Sequence, residues 1–236
     1  YFYNFCHKHS KKNINYKQWI IMSIYAFSIA ELYKLHVDNL YVYLYPSTYK
    51  KYIPSHGPIT PNNINSGYTT INNNITNRYI VLFRKEDVEN VFVHELIHYL
   101  HIDKSLYNIS DYFIKTFFNI NSTILLKEGY TEVLTILYIS LCNSILLNKD
   151  FKDILYNELV YSLLQSNKTF SIYNINNSDD FKNWSDDTNA FAYVIIKTIA
   201  LYNIGIFLDL FFNHTEINNE VFSNFIINES KFTSKP

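Results

Sequence analysis

Between Tyr16 and Leu35, apolar side chains (Ile21, Ile24, Tyr25, Ile29, Leu32 and Leu35) recur at spacings of three and four, while Ser23, Ala30 and Lys34 fall on the other side. That is the period of an α-helix with a wide apolar face. Leu40 to Tyr45 then alternates aliphatic with aromatic residues up to Pro46, which predicts a strand. Residues 47–66 hold Pro54, Pro58 and Pro61 and predict a loop. Gly67 to Ile71 and Arg78 to Phe83 predict two short strands joined as a hairpin by an Asn-rich turn, because Asn tolerates the left-handed backbone that turns require. From Asp87, a residue suited to capping, helical periodicity runs with breaks to the end: 87–101, 110–118, 123–146, 151–165, 187–204 and 217–227. The expected fold class is therefore α+β, a small sheet followed by helices.

Composition adds limits rather than chemistry. The 236 residues are 48% hydrophobic and 17% charged, enough apolar surface for one real core, and no linker or repeat divides them. Only 4 Gly stand beside 22 Tyr, 18 Phe and runs such as Asn72 to Asn74, a bias that AT-rich codons produce. A net charge of -1, with no basic tract beyond pairs such as Lys11-Lys12, removes the case for nucleic acid as a partner. Cys6 and Cys142 cannot build a disulfide framework, though they leave room for a single bridge. The longest apolar stretch, Ala190 to Phe212, is interrupted by Lys197, Asn203 and Asp209 and reads as a buried helix rather than a membrane span. The chain as given begins at Tyr1 with no visible signal peptide, and a cytoplasmic or virion-associated location is the expectation.

Residues 94–98 read His-Glu-Leu-Ile-His on a segment that periodicity makes helical. Spacing i, i+4 puts both imidazoles on one helix face, where two nitrogens can reach one ion, with Glu95 beside them as a base. A catalytic zinc needs a third protein ligand and an open position for water. Downstream, Glu128 and Glu132 share a face of an otherwise apolar helix, and Glu128 is the expected third ligand, with Glu132 either accepting the spare ring N–H of His94 or His98 or standing as an ordinary solvated carboxylate. His101, Glu132 and Asp103 are rivals for the third position; His101 would lie on the same helix face as His98.

His94-Glu95-x-x-His98 followed by Glu128-Gly129-x-x-Glu132 resembles the gluzincin division of the zincin metallopeptidases. The stretch from Ser66 through Glu86 is also similar to metallopeptidases encoded by AT-rich large DNA viruses. Lys127 stands where many gluzincins carry Asn, and the interval from His98 to Glu128 is longer than the shortest family pattern. The resemblance implies a single zincin-like domain over 1–236: helix, sheet and active-site helix in 1–101, and a helical subdomain carrying the third ligand in 102–236. It implies Zn2+ as cofactor, peptides or proteins as substrates, and hydrolysis by a metal-activated water with Glu95 as proton acceptor. Tyr193 is the candidate oxyanion donor, against an ordinary role as a core tyrosine. Two other functions fit the same residues: a zinc-stabilised structural or binding protein, and a zinc hydrolase of non-peptide amides or esters.

Overall fold

A computed structural model describes residues 16–37, 39–70, 78–107, 111–213 and 217–230. Helix α1 (Tyr16–Leu32) packs Met22, Tyr25 and Ile29 into the core. Strand β1 (Val42–Ser47) starts two residues later than the alternation suggests and includes Pro46, at a place where its register with the neighbouring strand shifts. An irregularity on an edge strand is where proline is tolerated, since no ladder donor is lost. The expected loop contains one short helix, α2 (Pro61–Ile64), pinned by the buried Arg84, whose guanidinium donates to the carbonyl oxygens of Asn62 and Asn63.

Strands β2 (Gly67–Thr69) and β3 (Ile80–Arg84) pair antiparallel, as a hairpin requires, and the Asn-rich turn expected between them lies outside the described residues. Strand β1 joins β3 in parallel, so the order is β1-β3-β2 and the sheet is mixed. Gly67 brings β2 close to its neighbours: a Cβ there would stand 2.8 Å from Val91 Cγ1 and 2.9 Å from the Val81 carbonyl.

Helix α3 (Val88–Tyr99) lies against this sheet and is buried from Phe92 to Tyr99. Asp87 does not cap it as expected. Its backbone is left-handed (φ 59°), and its carboxylate takes hydrogen bonds from the side chains of Asn90 and Lys51 instead of the helix amides. The helices that follow are α4 (Tyr112–Phe118), α5 (Leu126–Leu147), α6 (Phe151–Tyr173), α7 (Lys197–Tyr202), α8 (Ile204–Asn213) and α9 (Asn219–Glu229). Helices α4, α5 and α6 each end on a left-handed asparagine, Asn119, Asn148 and Asn174, the position glycine usually fills. A chain with 4 Gly thus turns its surplus Asn to structural use.

Two expectations change in the C-terminal half. Helix α6 runs eight residues past its expected end at 165, and the helix expected over 187–204 is broken. A π-helical turn (Ala192–Ile196) leads into α7, and the chain bends by 89° at Asn203 before α8. Among the described residues, α5 is the one unbroken helix long and apolar enough to cross a membrane, and half of that window is buried inside the fold. Over the described residues the protein is thus mostly helical with a small mixed sheet, an α+β arrangement. Cys142 is a free thiol, and Cys6 lies outside the described residues.

Candidate metal centre

Three polar residues of α3, His94, Glu95 and His98, are buried, so each side chain needs a partner. Helix α5 supplies most of them. His94 Nε2 and His98 Nε2 lie 3.0 Å apart, and Glu128 Oε2, from the first turn of α5, is 3.2 Å from the former and 3.4 Å from the latter. The backs of both rings face carboxylates. His98 Nδ1 hydrogen-bonds Asp103 Oδ2 at 2.5 Å; His94 Nδ1 is 2.8 Å from Glu132 Oε1, close but off the hydrogen-bond direction. Lysines stand behind both carboxylates, Lys127 Nζ at 3.4 Å from Asp103 and Lys197 Nζ at 3.5 Å from Glu132.

This geometry tests whether an ion fits. A carboxylate at each Nδ1 favours the tautomer with its proton there, which leaves both Nε2 lone pairs pointing inward. Two such lone pairs and a carboxylate oxygen, each within 3.4 Å of the others, repel unless a cation or extra protons sit among them. A tetrahedral zinc with bonds of about 2.0–2.1 Å separates neighbouring donors by about 3.3 Å. The three measured separations lie around that value. Charge points the same way: the carboxylates of Asp103, Glu128 and Glu132 crowd the two rings, with the lysines Lys127 and Lys197 set behind Asp103 and Glu132.

The acidities follow the same logic. Burial would lower the His98 pKa, but the Asp103 and Glu128 carboxylates outweigh it and hold the ring at about 9. His94 is likewise driven well above its ordinary value, against burial, by Glu128 and Glu132. Burial would raise Glu128, and the two imidazoles hold it well below the carboxylate range; Glu132, also against burial, is brought to about 2 chiefly by Lys197 and His94. Glu95 moves the other way: burial raises it, and the ring charges of His94 and His98 offset that only in part. Tyr193, carried by the π-helical turn, donates to Glu128 Oε2 at 3.1 Å. Burial and the surrounding carboxylates raise its hydroxyl well above the ordinary range, so it remains a donor.

The structure therefore brings together His94, His98, Glu128, Glu95 and Tyr193, with Glu132 beside His94. The rivals fall away from the third-ligand position. Helix α3 ends at Tyr99, and His101 is left-handed (φ 54°) in the turn beyond it, off the face that carries His94 and His98. Asp103 and Glu132 sit on the Nδ1 sides of the rings, away from the converging Nε2 atoms. No further His, Cys, Asp or Glu joins the three donors among the described residues. Sequence reasoning missed Asp103 as the partner of His98 and Lys127 as its counter-charge. The signal was Ile102 after His101: the Ile102 and His101 amides donate to the carbonyls of Ile97 and His98 in a Schellman turn that folds Asp103 back under His98.

The fold and this cluster define an α+β protein with a His/His/Glu group of metal-binding geometry. No family model matches the chain, and no solved structure matches it. In a match 160 positions long that takes in 61% of this chain, it is 25% identical to an uncharacterized protein (R210) of Acanthamoeba polyphaga mimivirus, of which it covers 41%. The chain thus spans less than half of that viral relative, and the relative's viral origin is consistent with the Asn-, Ile- and Tyr-rich composition of this chain.

Proposed function

We propose that the protein is a zincin-like, gluzincin-type zinc metallopeptidase, with His94, His98 and Glu128 as ligands and Glu95 as general base. The observation that carries this reading is the convergence of His94 Nε2, His98 Nε2 and Glu128 Oε2 at tetrahedral-zinc spacing, with Glu95 one residue from the first ligand. A zinc ion held there supplies Lewis acidity and a water whose pKa falls to about 7. Glu95, whose acidity burial has weakened, accepts a proton from the attacking water and passes it to the leaving nitrogen. Tyr193 offers its hydroxyl to the developing oxyanion. Thr69, on edge strand β2, donates to the Glu95 carbonyl at 2.8 Å and places that strand alongside the base, where an extended substrate could pair with it.

Metal analysis and peptide-library cleavage of the wild type and Glu95→Gln test the reading. The expected result is one zinc per chain in both and cleavage only by the wild type; a protein without zinc, or a variant as active as its parent, overturns it. The burial of both histidines and of Glu95 favours a second reading, a zinc-stabilised structural protein. Zinc in the wild type without hydrolysis of any peptide, amide or ester would establish that one, and amide or ester turnover without peptide cleavage would mark a non-peptide hydrolase.

A further inference from the structure

Asp103 has no exposed surface, yet its contacts are one-sided. Oδ2 takes the His98 ring at 2.5 Å, the Thr131 hydroxyl at 3.2 Å and the Lys127 ammonium at 3.4 Å, while Oδ1 is buried with no partner. A carboxylate present only to neutralise Lys127 would be expected to share its contacts between both oxygens, because an orphaned buried acceptor is costly. Here the group is turned so that one oxygen meets a metal-facing histidine and two groups of α5 at once. Lys127 and Thr131 are spaced i, i+4 and flank Glu128, so Asp103 grips the very turn of α5 that presents the third donor. The Schellman turn at His101 and Ile102 returns the chain to that point. On the other ring the plan repeats with different parts, Glu132 against His94 and Lys197 behind it.

We propose that Asp103 is a positioning residue of the metal centre: it fixes the ring orientation and Nδ1–H tautomer of His98 and locks α3 to the α5 turn bearing Glu128, with Lys127 as counter-charge. This rests on the metal-centre reading above. A carboxylate behind a ligating histidine also raises the basicity of the ring, and loss of such a partner typically lowers metal affinity roughly 10- to 100-fold.

The test compares zinc affinity, by competition with a chromophoric chelator, and the imidazole N–H signals of the zinc-loaded protein by 15N NMR. Asp103→Ala is expected to weaken zinc binding about 10- to 100-fold and to abolish the exchange-protected His98 Nδ1–H resonance while that of His94 survives. In Asp103→Asn the side-chain carbonyl still accepts, so the resonance should persist but shift upfield as the charge assistance disappears, with a smaller loss of affinity. Should the alanine variant not fold, the asparagine variant decides. Wild-type affinity together with an unmoved His98 resonance in the folded variants overturns the proposal and leaves the metal centre standing. A wild type that takes up no zinc overturns the metal-centre reading itself.

Discussion

Gly129 and Ile196 touch where two functional segments cross: a Cβ at position 129 would lie 2.7 Å from Ile196 Cγ2 and 3.3 Å from the Ala192 carbonyl. The absent side chain lets the π-helical turn carrying Tyr193 rest directly on the α5 turn carrying Glu128, and the Tyr193 hydroxyl then reaches the carboxylate at 3.1 Å. Such single-turn π segments often occur at functional sites, where they re-aim a side chain.

Gly129→Ala should therefore break the usual helix rule. Elsewhere in a helix that change adds about 1 kcal/mol of stability; here overpacking against a β-branched side chain should cost about 1–3 kcal/mol. Chemical denaturation of Gly129→Ala and of the double variant with Ile196→Ala checks this. The single change should lower the midpoint and the double change should recover part of the loss relative to Ile196→Ala alone; a stabilised single variant refutes the packing account.

Much of this arrangement could be read from side-chain periodicity, and the missing part has a common cause. The period of 3.6 placed His94 and His98 on one face of α3, and Glu128 and Glu132 on one face of α5, as found. Alternation in Leu40–Tyr45, and the two short runs flanking the Asn-rich turn, located strands β1, β2 and β3 to within two residues. Periodicity reports which face of an element is buried but is silent about where the chain reverses or changes helical pitch. The left-handed residues at Asp87 and His101 are not glycines, so nothing marked these turns as tightly as a Gly would have. The π-helical turn shifts phase by one residue within an apolar run, where almost any phase looks hydrophobic. Asp103, a rival for the third ligand by sequence, took its place behind His98 only once the turn at His101 was known.

Tyr193→Phe separates catalysis from folding. The ring stays in place, its centroid 5.9 Å from that of His94, while the donor at Glu128 is lost. If the hydroxyl serves the oxyanion, kcat should fall roughly 10²- to 10³-fold with zinc content and melting temperature nearly unchanged. A variant with parental kcat would assign Tyr193 to packing alone.

Asp186 holds the approach to the π-helical turn. Its carboxylate accepts from Trp184 Nε1 at 2.5 Å and from the Phe191 and Thr188 amides at 3.2 Å each, and its backbone bridges to Ile59. Asp186→Ala strands two buried donors, Trp184 Nε1 and the Phe191 amide, each costing about 1–3 kcal/mol. The expected loss is about 2–6 kcal/mol by denaturant titration, with Asp186→Asn losing less because one acceptor survives. Equal stability of Asp186→Ala and wild type would show that water replaces the carboxylate without penalty.

The two occupants of the centre, proton and metal, predict opposite responses to pH. In chelator-treated protein, Asp103 and Glu128 hold His98 at about 9, against about 6.5 in the unfolded chain. The folded state then binds more protons between these values, so His98's contribution is complete below pH 6.5 and is lost as pH rises toward 9, a change of roughly 3 kcal/mol. Zinc requires the same ring unprotonated at Nε2, so the stabilisation it adds should grow over that interval as fewer protons have to be displaced. Thermal melts at pH 6.5, 7.5 and 8.5, with chelator and with equimolar zinc, read both slopes, and His98→Gln under the same conditions removes contributions from other titrating groups. The chelator-treated wild type should lose stability with rising pH more steeply than His98→Gln, and the zinc-induced shift in Tm should widen in the wild type but not in the variant. Parallel curves for the two proteins in both conditions would mean that His98 neither holds the proton nor meets the metal.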